Sequence, residues 1–231
     1  MATYGNLANQ LPDPNYQRGW WGAGAEDGVG DSGPGFAGIT ITNDQKMMVT
    51  RTNSQRVIAR SIAGQKWNIN IEYNPMTQEE FNPVFTFLLQ QKGPLTPFFV
   101  SLPQYRTPQN SAWNTVVTNN NYSFVVPSSG GGGASGTDAV LVDVVDASGS
   151  APYSPVSGGA NLPKPGDMLT FSNHTKAYIL TQVETYQTYQ TGQLVMPSTS
   201  SQNRLKLRVS PSFSQDVAGS STITFSKPRI K

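Results

Sequence analysis

The chain has 231 residues, enough for one large or two small domains whose core needs neither disulfide nor metal to hold it. Charged side chains make up only 13% of it, about half of the roughly 25% usual for a globular protein, so the surface is polar but weakly charged. The net charge of +2, from scattered residues, is too small for a phosphate-neutralising nucleic-acid footprint, and the absence of cysteine excludes a disulfide scaffold, thiolate catalysis and thiolate-held metals.

From Met1 to Pro14 there is no basic start leading into an apolar core, and no run approaches about 18 apolar residues, so neither a signal peptide nor a membrane span is expected. Residues 1–39 read as a glycine-rich arm. Between Gly19 and Gly38 it holds eight glycines, a composition that cannot sustain a helix. Tyr16, Trp20, Trp21 and Phe36 lie in this arm, where no local core is expected to bury them. These four are the candidate assembly interface. They could dock on the chain's own domain, insert into a neighbouring subunit or stack on a sugar ring.

From Ser54 to Tyr73 the apolar residues alternate, with Val57 and Ala59, then Trp67, Ile69, Ile71 and Tyr73, and Ala63-Gly64 offers a turn between them. That pattern predicts a β-hairpin with one buried face. Phe81, Val84, Phe85, Leu88 and Leu89 then recur at helical spacing ahead of Gly93, predicting the chain's one clear helix, with one face packed on a sheet. Two starts are open. Thr77 and Glu80 have the spacing of a capping box, but that start leaves Pro83 inside the helix; a start at Asn82 puts Pro83 at the first helical position.

Phe98 to Leu102, bracketed by Pro97 and Pro103, suits a short buried strand. Residues 107–165 are rich in Asn, Gly, Ser and Pro and read as a linker, Gly130 to Gly133 included, with one strand around Val140 to Val145. Further strands are expected at Met168–Phe171, Ala177–Val183, Gln193–Met196, Leu205–Val209 and Thr222–Phe225, at intervals typical of a small barrel or sandwich.

Candidate chemistry is sparse. His174 is the single histidine and reads as an exposed hairpin tip, since a triad or a multi-histidine site has no partners for it here. Glu79 and Glu80 suit a helix N-terminus, and Asp143 and Asp146 alternate with valines as outward strand positions. Asp27 and Asp31 lack the spaced ligands of a calcium loop. The glycine runs have neither the spacing nor the lysine of a phosphate loop. No catalytic residue, cofactor or metal is expected.

Two stretches resemble known proteins. Gln55 to Arg60, Trp67 to Ile71, Met76 to Phe81, Phe87 to Leu89, Gly93 and Phe98 to Pro103 resemble the N-terminal region of minor tail and distal tail proteins of tailed bacteriophages. In those proteins a hairpin, a helix and a returning strand form a sheet-plus-helix unit that builds rings at the tail tip. Gly136 to Asp143, Leu162 to Phe171 and Lys176 to Thr181 look like the barrel module, marked by Gly166-Asp167 and Phe171, that recurs inserted in such proteins.

The resemblance implies a mainly β, α+β chain. Its parts would be a sheet-plus-helix domain at 40–106, completed by 211–231, and a linker with an inserted β-barrel-like or sandwich domain at 107–210. It implies a structural, non-enzymatic virion protein assembled in the host cytoplasm. Its partners would be copies of itself, commonly in a hexameric ring, and the tail tube and baseplate proteins. A carbohydrate-binding receptor module, using the exposed aromatics, is the alternative.

Overall fold

The computed structural model describes Leu11 and residues 36–61, 64–118, 122–128, 130–146, 162–185, 204–226 and 228–230. It is mainly β with antiparallel pairing, and it divides into two compact units, 1–101 with 231, and 102–230. The expected strand at Gln193–Met196 lies outside the described residues.

The first unit is built on one long, interrupted hairpin. Strand β1 (Phe36–Asp44) pairs antiparallel with β4 (Lys66–Tyr73), and β2 (Met47–Arg51) pairs antiparallel with β3 (Val57–Ser61). This corrects the expected hairpin of Ser54 to Tyr73. β3 pairs with β2 and β4 with β1 rather than with each other, and the β2–β3 reversal falls at 52–56. There Gln55 takes a left-handed φ of 62°, its N–H donates to the Thr52 carbonyl at 2.8 Å, and the Arg56 N–H donates to the Thr52 hydroxyl at 3.2 Å. Along β4 the alternation behaves as its period predicts, with Trp67, Ile69, Ile71 and Tyr73 half-buried and their neighbours exposed.

Helix α1 (Gln78–Gln90) uses the capping-box start: Glu80 Oε2 accepts from the Thr77 N–H at 2.9 Å and from the Thr77 hydroxyl at 3.0 Å. Pro83 therefore sits inside the helix, where it cannot donate to the carbonyl four residues back. Val84 and Phe87 are the buried residues of α1. With Leu11 they form a small core against Ile71, Tyr73, Phe98 and Val100. The Leu11 N–H donates to the Phe99 carbonyl at 2.8 Å. The strand expected over Phe98 to Leu102 is only β5 (Val100–Ser101).

The second unit opens with a helix that sequence reasoning missed, α2 (Ser111–Thr118). Six strands follow: β6 (Tyr122–Val125), β7 (Ala139–Asp146), β8 (Met168–Phe171), β9 (Ala177–Thr185), β10 (Arg204–Ser210) and β11 (Ile223–Thr224). A short β12 (Arg229–Ile230) ends the described chain. The six are hydrogen-bonded in the order β11-β8-β9-β10-β7-β6. A bridge between Val125 and Thr222 joins the two ends, with the Val126 N–H donating to the Ser221 carbonyl at 2.9 Å and the Ser220 N–H to the Val126 carbonyl at 2.8 Å. The result is a closed antiparallel barrel.

Its interior is filled by alternate residues: Val140, Val142 and Val144 from β7, Leu205, Leu207 and Val209 from β10, and Tyr178 and Leu180 from β9, all buried. Trp113 of α2 adds a fully buried ring against Phe124 and Phe225, at centroid distances of 5.1 and 5.4 Å. Residues 211–225, assigned to the first domain by sequence reading, place Phe213, Val217, Ile223 and Phe225 in this core. The glycine run is not a linker. Gly131 and Gly133 are buried, and their carbonyls accept from the Leu141 and Val217 N–H groups at 3.0 and 2.8 Å. A Cβ on Gly133 would collide with the Phe213 ring, and one on Gly132 with the Val217 carbonyl.

Candidate assembly surface

Large apolar side chains that the first unit leaves in water are the feature that a globular core does not explain. On α1, sequence reading expected Phe81, Val84, Phe85, Leu88 and Leu89 to share one packed face. The structure splits them. Val84 faces inward with Phe87, whereas Phe81, Phe85, Leu88 and Leu89 are exposed, Leu89 at 61%. Phe81 and Phe85, one turn apart, stack on each other at a centroid distance of 5.1 Å. The helix is apolar on two sides, and the small core of the unit uses one of them.

The outer half of the hairpin repeats the pattern. Met47, Met48, Val49, Val57 and Ile58 are all more than half exposed. Registry places Val49 opposite Ala59, Met47 opposite Ser61 and Arg51 opposite Val57, so Met47, Val49, Val57 and Ala59 share one face of the ribbon. Met48 and Ile58 lie on the other. Sequence reasoning did not single out β2. Its signal is the apolar run Met47-Met48-Val49 beside a polar stretch, which marks a strand without telling that both faces stay open.

Of the four aromatics put forward for assembly, Tyr16, Trp20 and Trp21 lie outside the described residues. Phe36 opens β1, half-buried, with its ring edge-on to Tyr73 at 5.1 Å. Part of its surface is therefore covered within its own unit.

The second unit presents a different surface. Outward positions of β7, β9 and β10 carry ion pairs across the strands. Arg204 donates to both oxygens of Asp143 at 2.6 and 2.8 Å, a bidentate pair that raises the guanidinium pKa. Arg208 donates to Glu184 at 3.1 Å, and Lys206 lies 3.8 Å from the same carboxylate. The charged groups of this face are thus spent on one another. The Arg204–Asp143 pair, largely shielded from solvent, is the firmest of them.

His174 is not the exposed tip expected of it. It lies between β8 and β9, half-buried, stacked on Phe171 and edge-on to Tyr178, with ring centroids 5.4 Å away in each case. Nδ1 is 3.4 Å from the Tyr178 hydroxyl, which is itself 3.4 Å from the Ser214 hydroxyl. Burial, with a smaller repulsion from Lys176, holds its pKa below the usual imidazole value. A neutral ring packed between aromatics at the margin of a core accounts for this geometry.

Asp167 of the Gly166-Asp167 turn is structural in the same sense. Buried, it accepts from the Gln109 N–H and the Lys164 N–H, both at 2.9 Å, while Gly166 adopts a φ of +99°. Asn110 adds a bond from its side-chain amide to the Leu162 carbonyl at 2.8 Å and accepts from the Ala112 N–H at the start of α2. The turn is stapled to the residues that lead into the helix.

No protein-family model matches the chain, and no curated protein sequence matches it. Among the described residues no helix is long and apolar enough to cross a membrane.

Proposed function

We propose that this chain is a structural component of a bacteriophage tail, forming a ring at the tail tip or baseplate that connects the tail tube to distal components of the virion. The observation that carries the proposal is the apolar surface that the first unit leaves uncovered at both the outer hairpin and the outer side of α1. Patches of this kind on a folded chain mark surfaces that association buries. The resemblance of Gln55 to Pro103 and of Gly136 to Thr181 to tail proteins supplies the setting. The closed barrel supports an architectural role, because its interior is occupied by side chains.

Mass photometry of the purified protein across concentration, with electron microscopy of any large species, tests the proposal. A discrete ring-sized particle is the expected result, formed alone or on addition of a tail-tube protein. A strict monomer that ignores tail proteins and binds glycans on an array would replace this reading with that of a receptor-binding module.

A further inference from the structure

The first unit is polarised along its hairpin. Positions 45–65 carry Lys46, Arg51, Arg56 and Arg60 and no acidic residue, while positions 67–91 carry Glu72, Glu79 and Glu80 and no basic one. The basic block coincides with the outer hairpin, β2 and β3. The acidic block covers α1 and β4 from Trp67 onward; Lys66, which opens β4, is paired with Asp44 at 3.9 Å between the two blocks, and Lys92 follows α1. α1 packs where β4 ends, at Ile71 and Tyr73. From Phe36 at the start of β1 to Arg51 at the end of β2 the chain runs 16 residues, a contour from base to tip of about 50 Å at roughly 3.3 Å per residue.

Both ends are apolar as well as charged. A two-stranded ribbon exposed on both faces is marginal in water on its own, so β2–β3 needs a surface to lie on. The outer side of α1 offers one, with Phe81, Phe85, Leu88 and Leu89 uncovered. Association of like with like is disfavoured by charge. Tip against tip would bring eight cationic side chains together, four from each copy, and base against base would gather the carboxylates.

We infer that the basic, apolar tip of the hairpin in one copy docks on the acidic base and outer α1 face of a second copy, a head-to-tail contact between two different surfaces of the same chain. Such a contact leaves a free tip and a free base at the ends of every chain of subunits, and it closes when the rotation per subunit divides a full turn. This deepens the proposed ring and rests on its self-assembly. It places the contact on β2–β3 and α1.

The absence of cysteine in the chain makes the test direct. Val49→Cys and Leu88→Cys are prepared as separate full-length proteins, both at exposed positions, and treated with a short bis-maleimide singly and mixed. The expected result is a cross-linked dimer in the mixture and loss of that product with either protein alone. Arg56→Glu with Arg60→Glu on the V49C protein should lower the mixed yield. Glu72→Lys with Glu79→Lys on the L88C partner should restore it. Cross-linking of V49C to itself as strongly as in the mixture, or no mixed product, overturns the inference. Light scattering on the unmodified protein separates the two levels. Self-association without the mixed product leaves assembly standing and removes this interface, and a monomer at every concentration with no product removes both.

Discussion

Asp167 and Gly133 each hold the barrel together, for opposite reasons. Asp167 satisfies two backbone N–H groups in a buried setting, so Asp167→Ala leaves both without an acceptor and should cost about 1–3 kcal/mol in denaturant unfolding, with Asp167→Asn losing less. Gly133 satisfies nothing with a side chain; it leaves room. Gly133→Ala forces the Phe213 ring to move and should cost about 1–3 kcal/mol by overpacking. At His174 the dependence is on pH. The unfolded chain protonates at the ordinary imidazole value and the folded chain only below it, so the contribution is constant above that value and shrinks as pH falls from it through the folded pKa. Unfolding midpoints measured between about pH 7 and pH 5 should therefore decline in the parent and decline less in His174→Gln.

At the scale of elements, α1 sets a strong cap against an internal proline. Thr77→Ala with Glu80→Ala removes the reciprocal cap and should cost on the order of 1 kcal/mol. Pro83→Ala restores a donor within the helix and should raise the unfolding temperature. The same helix shows where sequence reasoning stops. Its 3.6-residue period was readable, but periodicity cannot tell a side chain that meets its own core from one left for another surface, and Phe85 and Val84 read alike. The hairpin was misregistered because Ala63-Gly64 has turn chemistry whereas the actual reversal uses Gln55, a residue with little preference for positive φ. Most barrel strands were legible from the alternation of Val140 to Val144 and Leu205 to Val209. α2 was not, because Trp113, Val116 and Val117 make a short helical signal inside a stretch dominated by Asn, Gly, Ser and Pro.

For the whole molecule, the two units differ in what they ask of their surroundings. The barrel holds a continuous buried cluster from Trp113 to Phe225, while the first unit's cluster of buried residues is Leu11, Val84 and Phe87. Association that buries the outer hairpin and α1 stabilises the first unit by mass action. Raising protein concentration should therefore raise the temperature at which the first unit unfolds and leave the barrel's transition in place, a separation that calorimetry reads. Phe85→Asp with Leu88→Asp should abolish the concentration dependence, since both residues are exposed and neither belongs to the core.

Closure of the barrel has a further consequence for how the chain behaves before it finds its place. Pairing of β6 with the residues beside β11 joins the two ends of the six-stranded sheet, so among the described residues neither end strand offers an open edge to a foreign strand. Among the described residues β2 and β3 pair only with each other, leaving one edge of each open along a run of Met, Val and Ile. Unwanted aggregation during expression or storage should begin there. Protection from proteolysis and amyloid-dye binding would both map to residues 47–61, and a lysine placed at Val49 or Ile58 should improve solubility at the expense of assembly.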